Sequence, residues 1–331
     1  MKYLALKSIL TGALVLFPSY SIAAQQDSDP NKDSEKTIKV ETTLINVPLI
    51  ISDSAGLRVS GIRKEDISVF AGGGKLDIDF FADSEEPVKY AILIDSSGST
   101  SKIRLRMGNA ARKFVDTFSE ADQGMVVRFD DRVRLIEGLT SNRKKVKYAI
   151  GSHDSYSGGR GLMNESIVFV LREHFKDAKG RKAIILLTDA GEINQKSSQE
   201  LLKELSVSDV MIYPIIYQSH SIDSLVFLSG DTKGAEELKK MKSVSVADLV
   251  KYPPFDHLDR IARTSGGRLL FPDEKGFEAA FLNIADELRK QYLIGFYVDA
   301  GGNASDRQIT IKVNRPDVVV RTKQSIRVAA P

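Results

Sequence analysis

The chain has 331 residues, 42% hydrophobic and 27% charged, with a net charge of +3 and no cysteine. That length admits two domains, and the composition is that of a globular protein. The weak net charge gives no reason to expect nucleic acid as a partner, and the lack of cysteine excludes disulfides, thiol catalysis and Cys-ligated zinc.

In chain order, a short positive region bounded by Lys2 and Lys7 precedes a mostly apolar stretch, Ser8 to Phe17, which Pro18 breaks ahead of the small residues Ser21-Ile-Ala-Ala24. This pattern predicts a signal peptide over 1–24, too short to span a bilayer. Without it the charge falls to about +1. The mature protein is expected to be exported, periplasmic or secreted, with no transmembrane segment. Residues 25–37 are polar and aperiodic and predict a disordered linker.

Residues 38–86 read as a β segment: alternation from Val40 through Ile51, a turn at Asp53-Ser-Ala-Gly56, strands at Leu57–Val59 and Ile67–Phe70, and a further strand from Lys75 to Phe81. Alone it is too poor in hydrophobic residues to make a stable domain.

The pattern then changes over 87–289 to buried strands alternating with helices. This is the signature of an α/β fold with a doubly wound, mostly parallel sheet. Expected strands are Val88–Ile94, Gly124–Phe129, an antiparallel edge strand Arg132–Ile136, Ala183–Thr188, Val210–Tyr217 and Gly267–Phe271. Expected helices are Lys102–Phe118, one capped by Ser141 and running through Ile150, Leu162–His174, Ser197–Leu205, Pro254–Thr264 and Phe277–Leu288. Residues 219–251 are too long for an ordinary connection and predict an insertion at the carboxyl rim of the sheet, with a lysine-rich helix at Ala235–Met241. Strands return over 290–331. The economical arrangement pairs them with 38–86 into one β-sandwich-like domain, with the α/β domain inserted between.

The chemistry concentrates at strand ends. The apolar strand ending in Asp95 is followed by hydroxyls at Ser97 and Ser99, and a second buried strand ends in Thr188-Asp189. Ligands of open α/β sheets bind outside the carboxyl ends of strands, near a topological switch point. Two carboxylates and two hydroxyls there form a set of hard oxygen ligands suited to Mg2+ or Mn2+. Each element also has a plain structural role: Asp95 and Ser97 can cap the following helix, and Thr188-Asp189 can be a simple strand-end turn.

These residues resemble the von Willebrand factor A-type (VWA) domain and its metal-ion-dependent adhesion site (MIDAS), which reads Asp-x-Ser-x-Ser, a loop threonine and a later Thr-Asp. Asp95, Ser97 and Ser99 match the first element and Thr188-Asp189 the last. The resemblance implies that the serines bind the metal directly and the aspartates mostly through water, while an acidic side chain from a partner completes the octahedron. The flanks, Ile45 to Gly56, Gly61 to Phe70 and Ala285 to Tyr297, are similar to exported bacterial VWA-related proteins first grouped from Acidobacteria. One position departs from the pattern. The loop reads Ser157-Gly-Gly-Arg160-Gly-Leu162, with Arg160 in the threonine's place. A guanidinium cannot ligate a cation. Either Arg160 points away and Ser157 or water fills the position, or the metal binds weakly, or Arg160 itself meets the partner's carboxylate with no metal needed.

Enzyme readings find less support. Ser99-Thr-Ser-Lys102 fits a Ser-x-x-Lys string, but its companion motifs are absent. The four histidines lack zinc-ligand spacing, and no phosphate loop is present. The expected function is an extracytoplasmic binding or adhesion module, not an enzyme, that takes a protein or peptide carboxylate through Asp95, Ser97, Ser99 and Asp189; the lysines of 219–251 suit an acidic partner. The alternative is a structural or assembly protein whose VWA site is degenerate and metal-free.

Overall fold

A computed structural model of the chain describes residues 42–54, 57–83, 86–97, 104–152, 161–190, 195–217, 232–241, 244–273, 275–299 and 305–328. The expected signal peptide and linker lie outside the described residues. Among the described residues no helix is long and apolar enough to cross a membrane.

The centre is a five-stranded sheet built from β5 (Val88–Asp95), β6 (Gln123–Phe129), β7 (Val133–Thr140), β8 (Arg181–Thr188) and β9 (Met211–Ile216), in the order β7-β6-β5-β8-β9. β5 pairs in parallel with both β6 and β8, β8 pairs in parallel with β9, and only β7 is antiparallel. β8 is buried along its whole length, and β5 at every residue but the half-buried Lys89, because helices cover both faces. Tyr90, Ile92 and Ile94 face α1 (Arg104–Asp116), α2 (Arg143–Gly151) and α8 (Phe277–Arg289). Ala91 and Leu93 face α3 (Met163–Phe169), α4 (Gln195–Val207) and α7 (Pro253–Ser265). The chain leaves β5 to one side for β6 and returns to the other side for β8, so the switch point lies between the carboxyl ends of β5 and β8.

The flanking strands form two four-stranded sheets. One has the order β12-β1-β10-β4, from Val318–Thr322, Thr42–Asp53, Tyr292–Asp299 and Phe80–Asp83. The other has the order β13-β11-β2-β3, from Ser325–Val328, Ser305–Val313, Ile67–Ala71 and Gly74–Leu76. Their shared core draws on Val47, Leu49 and Val69 from one chain end and Ile294, Phe296 and Ile326 from the other. Ile50, on the opposite face of β1, joins the core of the α/β domain.

Several local expectations need correction. Lys75–Phe81 is not one strand. It divides into β3 and β4, which belong to different sheets, with Ile78 buried between the exposed Asp77 and Asp79. Leu57–Val59 contributes only a bridge from Arg58 to Ser52, and Gly267–Phe271 only one from Leu270 to Ile215. Asn142, not Ser141, caps α2, accepting from the N–H groups of Lys144 at 3.1 Å and Lys145 at 3.3 Å. The helix from Leu162 to His174 is α3 continued by a wider π turn, Val170–Phe175. In the insertion, α5 (Thr232–Lys240) and α6 (Val246–Leu249) bury Ala235, Leu238 and Leu249 in the core, and residues 218–231 lie outside the described residues.

Lys323 joins the two parts. It sits between β12 and β13, is 1% exposed, and donates to the carbonyls of Leu205, Ser206 and Ser208 at 3.2, 3.0 and 2.7 Å. These close the C-terminal end of α4, where a cation also opposes the helix dipole. Burial draws its pKa down to about 8, against the attraction of Asp209. Beside it, Gly266 ends α7 at φ 82°, and a Cβ there would lie 2.9 Å from the Lys323 backbone nitrogen. Lys323→Met removes three hydrogen bonds and is expected to lower stability by about 2–3 kcal/mol, measured by urea denaturation.

Candidate functional site

The strand pairing sets the site. Phe129 is opposite Asp95 on one side, and Ile94 is opposite Leu187 on the other, so Thr188 and Asp189 emerge beside Asp95 at the switch point. Ser96 N–H continues the ladder to Phe129 O at 2.8 Å. Asp95 is 3% exposed and Asp189 6%.

The Asp95 carboxylate is held at both oxygens. Oδ1 accepts from Ser97 N–H at 2.9 Å, a local turn that bends the chain off the strand, and Oδ2 accepts from Thr188 Oγ1 at 3.1 Å. Thr188 Oγ1 in turn accepts from Ala190 N–H at 3.2 Å. Ala190 has φ 65°, a left-handed conformation costing an L-residue roughly 1–2 kcal/mol, and it turns the chain immediately after Asp189. Burial first and the nearby Asp189 charge second push the Asp95 carboxyl up to about 6, while hydrogen bonds from Ser97 and Thr188 oppose the rise.

Asp95, Ser97 and Asp189 are therefore brought to one rim. Ser99, Ser157 and Arg160, the remaining site residues expected from the sequence, lie outside the described residues. The donor set fits a hard divalent cation: it is oxygen only, with two carboxylates close enough to repel each other. Among the described residues no group of three or more His, Cys, Asp or Glu is placed to hold a metal ion.

Two supporting residues escaped the sequence reading. Arg128 is 2% exposed and donates to Ser96 Oγ at 3.3 Å, Ile150 O at 3.0 Å and Ser152 O at 2.6 Å. Asp130 is fully buried, takes both Arg134 guanidinium nitrogens at 3.0 and 2.6 Å, and offers its carbonyl to Leu162 N–H at 2.7 Å. Together they fix both ends of the 153–160 connection, at Ser152 and Leu162. Charged residues on either side of Phe129, at the end of an otherwise apolar strand, are the signal that could have found them.

Below the rim lies a second polar cluster. Asn164 Nδ2 donates to Ser197 Oγ and Ser198 Oγ, both at 3.1 Å, and its Oδ1 lies 2.9 Å from His257 Nε2. This joins the first turns of α3, α4 and α7, each of which follows a rim connection. Burial, with a smaller contribution from Arg260, lowers the His257 pKa to about 4, against the attraction of Asp256.

Residues 91–250 match the family model of the von Willebrand factor type A domain. No curated protein matches the chain. Among solved structures, the proximal thread matrix protein 1 of the mussel byssus is similar, at 16% identity and a TM-score of 0.44 over 66% of this chain. The match spans 50% of the mussel protein's length. A further structure of that mussel protein has a zinc-occupied MIDAS motif. An aerotolerance-related membrane protein from Bacteroides fragilis matches at 16% identity and a TM-score of 0.45, over 61% of this chain and 99% of that one. A von Willebrand factor type A protein from Catenulispora acidiphila matches at 12% identity and a TM-score of 0.44, over 88% of this chain and 74% of that one.

Two outcomes follow from the site's electrostatics. Asp95 is raised in the folded state, so its contribution to stability is full below the ordinary value of 3.8 and is lost as pH rises through about 6. Asp95→Asn removes that loss and is expected to stabilise the metal-free protein at pH 7 by about 1–3 kcal/mol, read by denaturation in EDTA. His257 is lowered, so its contribution is full above the ordinary 6.5 and is lost as pH falls toward and through about 4. The acid limb of the stability curve should flatten by about 2 kcal/mol in His257→Gln, as measured by pH-dependent melting. With the five-stranded sheet, its two helical layers and the matching residues in hand, 91–250 are a von Willebrand factor type A domain, carried by a chain whose two ends add a β-sandwich.

Proposed function

We propose that the carboxyl rim of the VWA domain holds a divalent cation, Mg2+ or Mn2+, and uses it to bind a carboxylate on a protein or peptide partner. On this reading the chain is an exported binding or adhesion module and not an enzyme. Asp95, Ser97, Ser99 and Asp189 would hold the ion. Bound there, it would supply an electrophilic site for an outside carboxylate.

The observation that carries the reading is the placement of two buried carboxylates at adjacent strand ends of the switch point, close enough that Asp189 raises Asp95. Such a pair costs stability in isolation, and a cation between the two would offset that cost. Thr188 and Ser97 N–H hold Asp95 in place so that its orientation does not depend on the ion. Ser157 and Arg160 belong to the connection between α2 and α3, outside the described residues. Arg160 is assigned to the partner's carboxylate and not to the metal, because a guanidinium donates and cannot ligate.

Calorimetry and thermal melting with MgCl2 or MnCl2 test the proposal. A ligand at about 100 times its Kd raises stability by about 2.7 kcal/mol, and an effect of that order is expected in the wild type and absent in Asp95→Ala and Asp189→Ala. A wild type that neither binds nor melts higher with either ion would refute the cation reading and favour a structural protein with a degenerate site.

A further inference from the structure

The face formed by α1 and α2 carries basic residues that no carboxylate among the described residues matches. α1 contains four basic residues and one acid, and α2 contains four basic residues and no acid. Lys113 is matched by Glu278 at 2.5 Å and Lys147 by Asp116 at 2.6 Å. Arg143 turns to the backbone, donating to Phe118 O at 3.0 Å. Arg112, Lys144 and Lys145 have no carboxylate partner among the described residues.

This face also contains a groove. Arg112, Lys147, Tyr148, Gly151 and Ser152 line an open depression of about 430 Å3. Two glycines make room for Arg112: a Cβ on Gly108 would lie 3.2 Å from its guanidinium, and one on Gly151 would lie 3.3 Å away. Tyr148 is 81% exposed, and Leu105, a helical stripe above Arg112, is 69% exposed. An uncovered tyrosine beside an unmatched arginine is the composition of a protein-binding hot spot. The groove ends at Ser152, whose carbonyl Arg128 ties to Ser96, next to Asp95.

We infer that the α1–α2 groove is a second contact surface for the partner, and that it takes an acidic protein segment, with a carboxylate against Arg112 and an apolar or aromatic side chain against Tyr148. This deepens the proposed function by specifying the partner's chemistry, and rests on that reading only for the rim contact. A guanidinium pairs a carboxylate through two parallel hydrogen bonds. The small patch on a chain of net charge +3, with an apolar element at its centre, fits a protein surface better than a nucleic-acid backbone or a membrane.

The test uses the full chain and a fluorescein-labelled peptide of alternating Glu and Phe, titrated by fluorescence anisotropy in EDTA and again in MgCl2. Binding is expected in EDTA, weakened about tenfold by Arg112→Glu and about threefold by Tyr148→Ala, and restored by Arg112→Lys to within about threefold of wild type. Lys179→Glu, at the opposite end of the sheet, is the control and should leave binding unchanged. The inference is overturned if Arg112→Glu binds like wild type, if Lys179→Glu weakens binding equally, or if an oligothymidylate of equal charge or phosphatidylglycerol vesicles bind more tightly than the peptide. Loss of the MgCl2 increment alone would sink the cation reading and leave the groove standing. Circular dichroism melts of each variant verify that it is folded.

Discussion

The structure depends on the pairing of two distant strands. β1 and β10 are more than two hundred residues apart, yet they run antiparallel in continuous register from Thr42–Asp299 to Leu49–Tyr292. Everything between them must leave and return at one place. Arg181 secures that place from within the α/β domain: its guanidinium bonds Glu86 O just before β5 and Leu288 O at the end of α8. One buried side chain at the base of β8 thus holds both connections of the inserted domain. Lys323 adds a link from the far end of the chain, at the C-terminus of α4. In both cases a cation meets backbone carbonyls, which cannot titrate or leave.

The base of the sheet is therefore fixed, and the candidate site lies at the opposite, carboxyl rim. There the domain holds unfavourable features: two carboxylates with little water around them, and a left-handed Ala190. A surrounding frame keeps these in place. Thr188 anchors one oxygen of Asp95, Arg128 and Asp130 anchor the ends of the 153–160 connection, and the Asn164–His257 cluster ties the first turns of three helices. This is the distribution expected of a binding site, where local cost is tolerated because the scaffold over-determines the geometry.

The α/β fold was legible because its central strands β5, β8 and β9 are buried on both faces and read as near-continuous apolar runs. Asp95 and Asp189 were legible for the same reason, since a carboxylate that ends such a run marks a strand end at the rim. The failures are equally physical. Lys75–Phe81 alternates like a single strand, but the alternation cannot show that the chain crosses from one sheet to the other at Ile78. Ser141 and Asn142 are both good caps, and the choice between them depends on where the helix axis meets the sheet. The role of Arg128 depends on Ile150 and Ser152, which are adjacent only after α2 has packed. Propensity along the chain carries none of this.

The position of Arg181 has a mechanical consequence. A load applied to the rim would be carried to the sandwich through β5 and β8, along their axes. The two strands pair in parallel over seven residue pairs, Val88–Arg181 to Ile94–Leu187, so a load entering β8 at the rim and leaving through the base of β5 would shear these hydrogen bonds together and not peel them one at a time. At the base, the same force would reach Glu86 and Leu288 at once, and from there divide between β4 and β10, which are neighbours in one sheet. The chain is built so that tension at one end is shared by several ladders at the other.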